Sequence, residues 1–152
     1  MRTIKDIFQE DQADRNNQDF WDRLEYYANR DKDRQKQVNQ LLAEDKIVDG
    51  EDCYYSAMIF HHSPHISDLE KAKTLAQKSI DKNFKPVKWL YAAITDRILV
   101  SEGKPQKFGT QYYLEANRKI LFDYDVTTTD EDRAEYNVPP LEEILSRQGK
   151  IR

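Results

Sequence analysis

The sequence has little cysteine or glycine, and each shortage excludes a class of site. The single cysteine, Cys53, cannot form a disulfide within the chain or supply a cysteine-based metal cluster. The four glycines form neither a phosphate-binding loop nor a dinucleotide-binding motif. Nucleophile elbows and zinc-protease helices are also absent. The sequence therefore dictates no reaction, and we expect no cofactor and no bound metal.

Long apolar runs and clustered positive charge are also missing. No apolar stretch approaches the roughly 20 residues that cross a bilayer, and Met1–Ile7 lacks the apolar core of a signal peptide. The net charge is −4, with Lys and Arg scattered among Asp and Glu, so no basic stripe is available to neutralise phosphates. These features predict a cytoplasmic protein that binds neither membranes nor nucleic acid.

Aromatic residues are what the sequence has in quantity. They make up 11% of the chain, which favours folding although charged residues reach 34%. A length of 152 residues predicts a single helical domain, residues 1–152. The remaining partners are a small molecule or another protein, and the tyrosines at Tyr112 and Tyr113 allow a homodimer.

Apolar residues at helical spacing predict two antiparallel helices early in the chain. A charged break at Arg30–Asp33 separates them. Their faces consist of Phe20, Trp21, Leu24, Tyr27 and Ala28, and of Arg34, Val38, Leu41 and Leu42. A glycine and capping acids within Val48–Asp52 predict the turn that ends the second helix.

Three further helices are predicted in the middle of the chain. The third spans Asp52–His62, and the fourth opens at a capping box formed by Ser67 and Glu70. Pro86 fits the first turn of the fifth, which ends near Ser101–Gly103. Successive helices of about a dozen residues with short turns resemble a tetratricopeptide-like array of helical hairpins.

The pattern changes after Gly103. Strand-forming residues on both sides of Glu115–Arg118 predict a small β-hairpin, with a helix over residues 113–121 as the alternative. Pro139 and Pro140 then introduce a short last helix. The predicted fold is mainly α, a helical-hairpin array of five to six helices with a small β-hairpin near the C-terminus.

Several polar residues are candidates for chemistry. Asp96 and Arg97 lie at the edge of an apolar helix face, either as a structural ion pair or as a base beside an anion-binding group. His62 is a candidate general acid or base, or a core histidine. His61 and His62 point about 100° apart on a helix, which argues against a metal site.

Two other segments carry polar groups at informative spacing. Asp11 and Arg15 are one helical turn apart, a spacing that favours an ion pair. Gln106 and the segment Gly109–Gln111 combine amides, a hydroxyl and a glycine, so the backbone can approach a ligand closely there. A turn or bulge that opens the hairpin is the structural alternative.

Five motifs together resemble an uncharacterised bacterial family, a domain of unknown function. They are Asp11-Gln-x-x-Arg15, Ala57-Met-Ile-Phe-His-His62, Trp89-Leu-x-Ala-x-x-x-Asp96-Arg97, Gly103-Lys-Pro-Gln-Lys-Phe-Gly-Thr-Gln111 and Asp132-Arg-x-x-x-Asn-Val-Pro-Pro-Leu141. The family usually has Gln before its histidine and Gly after it, where this chain has His61 and Ser63. The resemblance implies no substrate, but it implies a common site lined by Gln12, Arg15, His62, Asp96, Arg97, Gln106, Thr110 and Gln111.

Three functions are compatible with these residues. We favour a binding module whose pocket holds a small polar or anionic ligand or a peptide. The alternative is a hydrolytic or eliminative enzyme in which His62 transfers protons, Asp96 orients it, and Arg97 with Gln111 stabilises negative charge. In the third, a pure interaction protein, all of these residues are structural. The first two require that folding gathers His62, Asp96, Arg97 and Gln111 into one hollow.

Overall fold

The computed structural model describes residues 2–150, which fall into two compact units, one ending at Lys85 and the other beginning at Pro86. The first unit contains α1 (Ile4–Arg15), α2 (Leu24–Ala43), α3 (Gly50–His61) and α4 (Ile66–Asp81); the second contains α5 (Lys88–Ser101), β1 (Tyr112–Glu115), β2 (Arg118–Leu121), α6 (Asp130–Glu135), α7 (Leu141–Ser146) and β3 (Gly149–Lys150). The mainly α fold with a small hairpin is confirmed. The single-domain organisation remains a prediction.

Helix α1 precedes the first helix that apolar spacing predicts. Thr3 caps it reciprocally with Asp6. Its buried positions are two isoleucines followed by two acids, Asp11 and Asp14, at the same helical register. A pattern of apolar residues alone misses this helix because half of its buried face is charged.

The predicted break within α2 is wrong. The helix runs without interruption from Leu24 to Ala43, and Arg30, Asp31 and Arg34 lie on it. Arg30 pairs with Asp14 of α1, with 2.7 Å between Nε and Oδ2. The apolar pattern of α2 is interrupted at Arg30–Asp33 because this part of the helix contacts α1 through ion pairs rather than through apolar side chains.

Helices α3 and α4 form an antiparallel hairpin. The Ser79 hydroxyl near the end of α4 donates to the backbone oxygen of Gly50 at the start of α3, at 2.6 Å. The predicted capping box at Ser67 is wrong, because α4 begins at Ile66 with His65 at its N-cap. The Ser63 hydroxyl instead accepts from the His65 backbone N–H at 3.2 Å and donates to Asp68 at 2.6 Å.

Gly50 is required at the place where the two helices of this hairpin, α3 and α4, approach each other closely. A Cβ atom added to Gly50 would lie 2.7 Å from the Cβ of Phe84, which is fixed to the backbone and cannot rotate away. We therefore expect Gly50→Ala to lower the free energy of unfolding by about 1–3 kcal/mol, because overpacking outweighs the gain in helix propensity. Chemical denaturation measures this, with Glu51→Ala at the next, exposed position as the control. A Gly50→Ala protein as stable as the control would contradict the close approach.

The second unit confirms the predicted hairpin. Strands β1 and β2 pair antiparallel with Glu115 opposite Arg118, and both residues of the turn, Ala116 and Asn117, have positive φ, the conformation of a type I′ turn. Strand β3 pairs with β2 to complete a three-stranded sheet. The core of this unit consists of Ala92, Phe108, Leu121, Val138 and Ile144, with Tyr112, Tyr124 and Tyr136 packed against it. In the part of the chain that the structure describes, no helix is long and apolar enough to cross a membrane.

Candidate functional site

His62 lies at the C-cap of α3 and is paired with a buried carboxylate of α1. Its Nδ1 is 3.0 Å from Oδ1 of Asp11, whose exposed fraction is 1%. A carboxylate only accepts hydrogen bonds, so Nδ1 must carry the proton in this pair. In the neutral ring the other nitrogen, Nε2, then carries the lone pair. The geometry is that of an imidazole oriented for proton transfer at Nε2.

The Asp11 carboxylate is itself fixed by its neighbours. Its Oδ1 also accepts from Arg15 Nη1 at 2.8 Å, and its Oδ2 accepts from Gln12 Nε2 at 2.9 Å. The predicted Asp11 to Arg15 ion pair is therefore present. Arg15 also makes a bidentate pair with Asp31 of α2, at 3.0 and 2.9 Å. Both terminal nitrogens of Arg15 thus hold carboxylates of the protein.

Arg34 is the centre of the charged contact between α1 and α2. Its exposed fraction is 1%, and its terminal nitrogens lie 2.7 Å from Asp14 and 2.6 Å from Asp31. Its Nε is 3.7 Å from Oδ1 of Asp11. Burial opposes the charge of these groups, yet the paired arginines outweigh it, so the pKa of the Asp14 carboxyl and the pKa of the Asp31 carboxyl both lie below their usual range. The charges are therefore retained inside the unit at neutral pH.

In the second unit, Asp96 holds the segment that follows α5. Asp96 is fully buried, and its Oδ1 accepts from the backbone N–H groups of Lys107 and Phe108 at 2.7 and 2.8 Å. Its Oδ2 accepts from the backbone of Gly109 at 3.1 Å, and from the backbone and hydroxyl of Thr110 at 3.0 and 2.7 Å. Gly109 has φ +94°, which favours glycine at this bend. Five hydrogen bonds make Asp96 an anchor for the segment.

Gln106 closes the open end of the hairpin. It is fully buried, and its Oε1 accepts from the Gln111 backbone N–H at 2.9 Å. Its Nε2 donates to the backbone oxygens of Gln111 and Phe122 at 3.0 and 3.1 Å. The side-chain amide thus takes the hydrogen bonds that a neighbouring strand residue would make. This observation supports the structural alternative for Gln106.

Thr110 and Gln111 form a chain of hydrogen bonds that starts at Asp96. The Thr110 hydroxyl donates to Asp96, and its oxygen accepts from Gln111 Nε2 at 3.1 Å. Gln111 Nε2 also lies 3.5 Å from the backbone oxygen of Ala93. Both side chains are half-buried, so they keep some exposure to solvent.

The structure therefore groups the predicted residues by unit. Gln12, Arg15 and His62 surround Asp11 in the first unit, and Gln106, Thr110 and Gln111 are connected to Asp96 in the second. Arg97 is half-buried on α5. A single hollow that contains His62, Asp96, Arg97 and Gln111 remains a prediction.

Sequence reasoning missed Asp11 as the partner of His62, and Asp14 and Asp31 as buried charges. It did place Arg34 on the helix face of Val38 and Leu41, and all three are buried. The pairing of Asp11 with His62 has no such signal, since 51 residues separate the two along the sequence. Among residues 2–150, no group of three or more His, Cys, Asp or Glu side chains is arranged to hold a metal ion.

Comparison with known proteins identifies the family but no activity. Neither the curated proteins nor the solved structures contain a significant match. A family model does match, over residues 4–149, and its description is a family of unknown function, DUF6624. Because this match covers nearly the whole sequence, the chain belongs to DUF6624.

Proposed function

We propose that this chain binds a small polar ligand and that His62, oriented by Asp11, transfers a proton to or from it. The observation that carries the proposal is the 3.0 Å contact between His62 Nδ1 and the buried Asp11 carboxylate. A buried aspartate that accepts from one ring nitrogen fixes the tautomer and stabilises the imidazolium that forms when the other nitrogen takes a proton.

The surroundings of Asp11 support this role. A general base such as His62 must hold its orientation while its charge changes, and Asp11 provides that orientation. Asp11 is itself restrained by Arg15 on one oxygen and by Gln12 on the other. Arg15 is in turn held by Asp31. We therefore assign Arg15 to positioning Asp11 rather than to binding an anionic ligand.

The roles proposed for the second unit follow from its hydrogen bonds. Asp96 accepts five of them, which favours a positioning role for this carboxylate over proton transfer. Gln106 is also a positioning residue. Thr110 and Gln111 are half-buried and continue the chain from Asp96, so we retain them with Arg97 as candidate ligand-binding residues.

The test is a metabolite screen that separates binding from turnover. Compounds that raise the melting temperature of the wild-type protein are incubated with it, and their conversion is followed by mass spectrometry. At least one is expected to be converted, and His62→Ala and Asp11→Asn are each expected to slow its conversion by about 10²-fold or more, because general acid–base catalysis contributes 10²–10⁴-fold. The control is His65→Ala, which changes an exposed histidine outside the pair and should retain turnover.

Other outcomes of the screen identify the other functions. A ligand that stabilises both wild type and His62→Ala, and that wild type leaves unchanged, contradicts catalysis and leaves a binding module. A screen in which no compound stabilises the protein contradicts both and favours the interaction protein.

A further inference from the structure

We infer that the second unit contains a separate ligand site, and that its ligand is a free α-amino acid with a large apolar side chain. The site is a cavity of about 540 Å³ between two segments of the chain, residues 104–107 and 124–126. A volume of this order is typical of small-molecule sites. The site goes beyond the proposed function, because its lining lies entirely in the second unit and includes neither His62 nor Asp11.

Backbone hydrogen bonds hold the two walls of this cavity together. The Gln106 backbone N–H donates to the Asp123 oxygen at 2.9 Å, and the Asp125 backbone N–H donates to the Gln106 oxygen at 2.8 Å. These bonds form a parallel bridge between Gln106 and Tyr124. The Gln106 side chain is buried and bonded to the hairpin, which fixes the first wall further. Because both walls are fixed, binding a ligand does not have to order them.

Most of the cavity lining is apolar. Leu99, near the end of α5, and Tyr124 are half-buried, and Pro105 and Val126 are exposed. Val126 has an exposed fraction of 84%. An apolar ligand group placed here would remove part of this surface from water, which favours binding. The lining therefore selects a ligand with an apolar portion.

The lining contains two lysines, and one of them is available to a ligand. Lys104 is paired with Glu102, with 2.7 Å between Nζ and Oε2. Lys107 belongs to none of the salt bridges described for residues 2–150. Its ammonium lies 5.2 Å from the centre of the Phe108 ring, a contact that leaves its N–H donors available. Lys107 is therefore the group in the lining that can receive a ligand carboxylate.

Asp125 supplies a negative charge at the same cavity. Its Oδ1 accepts from the backbone N–H and the hydroxyl of Thr127, at 2.9 and 2.6 Å, so Oδ2 can accept from a ligand. The bonds from Thr127 and the charge of nearby Lys107 hold the pKa of the Asp125 carboxyl below its usual range. Asp125 is thus ionised at neutral pH. Lys107 is near enough to affect it, yet the two form no salt bridge in the described part of the chain.

The ligand class follows from the combination of these charges with an apolar lining. Lys107 and Asp125 each follow directly after a residue of the bridged pair, where the two backbones lie about 5 Å apart. A simple anion would be attracted by Lys107 and repelled by Asp125, and a simple cation would meet the reverse. An α-amino acid carries a carboxylate, an ammonium and a side chain on one carbon atom. Its carboxylate can accept from Lys107 while its ammonium donates to Asp125 and its side chain contacts the apolar lining.

Four probes test the ligand class on the full chain. They are L-phenylalanine, 3-phenylpropanoate, which lacks the ammonium, 2-phenylethylamine, which lacks the carboxylate, and glycine, which lacks the apolar side chain. Each is titrated to about 50 mM at neutral pH, since exposed charges bind weakly. The backbone amide signals of Lys107, Asp125 and Val126 in nuclear magnetic resonance spectra report binding. L-Phenylalanine should bind about fivefold more tightly than either singly charged probe and at least about tenfold more tightly than glycine.

Each alternative occupant has its own outcome. If 3-phenylpropanoate binds as tightly as L-phenylalanine, the cavity takes apolar anions, and if 2-phenylethylamine does, it takes apolar cations. If glycine does, the apolar lining contributes nothing. Each of these results, or the absence of any change in the three amide signals with L-phenylalanine, overturns the inference.

Two substitutions assign one charge of the ligand to each side chain. Lys107→Gln should weaken the binding of L-phenylalanine about fivefold without weakening that of 2-phenylethylamine. Asp125→Asn should weaken the binding of L-phenylalanine by a similar factor without weakening that of 3-phenylpropanoate. Asparagine retains one side-chain oxygen for Thr127, so the turn at this position is kept.

The matched controls are Lys104→Gln and Asp123→Asn. The first removes the lysine that is paired with Glu102, and the second removes an exposed aspartate outside the lining. Both variants should bind L-phenylalanine within about twofold of wild type. A Lys104→Gln protein that loses as much affinity as Lys107→Gln, or four variants that all bind like wild type, would contradict the assigned contacts.

Discussion

Replacing Asp96 by asparagine is expected to lower the free energy of unfolding by about 3–5 kcal/mol, which is exceptional for a change of one atom. One carboxylate oxygen serves two backbone N–H groups, and the other serves two more and a hydroxyl. Whichever oxygen becomes an NH₂ group, at least two buried N–H donors then face a donor. The loss is measured by chemical denaturation followed by circular dichroism.

The matched control is Asp123→Asn, which makes the same chemical change at an exposed position of the same unit. It should alter the free energy of unfolding by less than about 0.5 kcal/mol. Hydrogen exchange gives a second reading, because the amides of Phe108 and Gly109 should be protected in wild type and exchange rapidly in Asp96→Asn. Stability within about 1 kcal/mol of wild type, with protection retained, would show that Asp96 is not the anchor of this segment.

Replacing Arg34 by methionine should cost a similar amount, about 3–5 kcal/mol, for a different reason. Methionine keeps an unbranched apolar side chain of the length of the aliphatic part of arginine but carries no charge, so Asp14 and Asp31 lose a partner that lies 2.7 and 2.6 Å away. The cost arises from buried carboxylates left with too few donors. The control is Arg147→Met, which breaks an exposed pair with Glu143 and should cost less than about 1 kcal/mol.

The pH dependence of the Arg34→Met effect separates charge from packing. The pKa of Asp14 and the pKa of Asp31 are lowered in the folded protein, so their stabilisation is fully present above the unfolded value of about 3.9 and is lost as pH falls through the lower folded values. The difference between wild type and Arg34→Met should therefore shrink below about pH 4. A difference that is the same at pH 3 and pH 7 would indicate that only the volume of Arg34 matters.

Local signals in the sequence were sufficient for much of the fold. The hairpin was predictable because strand-forming residues lie on both sides of Glu115–Arg118, although the turn itself consists only of Ala116 and Asn117. Helix α7 was predictable because Pro140 can precede a helix but not continue one. The start of α4 was not predictable in the same way. The side chain that makes the local hydrogen bonds there is Ser63, four residues before Ser67, the predicted capping residue.

The candidate site was less predictable than the fold, because its contacts are distant in sequence and its roles depend on partners. His62 was identified as a proton-transfer candidate, but its partner in the structure is Asp11. Asp96 was identified as polar and near a core, yet spacing along a helix could not show that its carboxylate binds the segment 107–110. Helical periodicity reports which residues are buried, and it does not report which buried polar groups meet.

The ionic contact between α1 and α2 has a consequence for how this protein can diverge. Each of Asp14, Asp31 and Arg34 bonds to more than one charged neighbour, so a single replacement leaves the others with fewer charged partners inside the unit. Neutral drift through one position at a time is therefore disfavoured, and these residues form an epistatic set whose effects are not additive. Change here requires simultaneous exchange of acids and bases, or replacement of the whole cluster by apolar side chains.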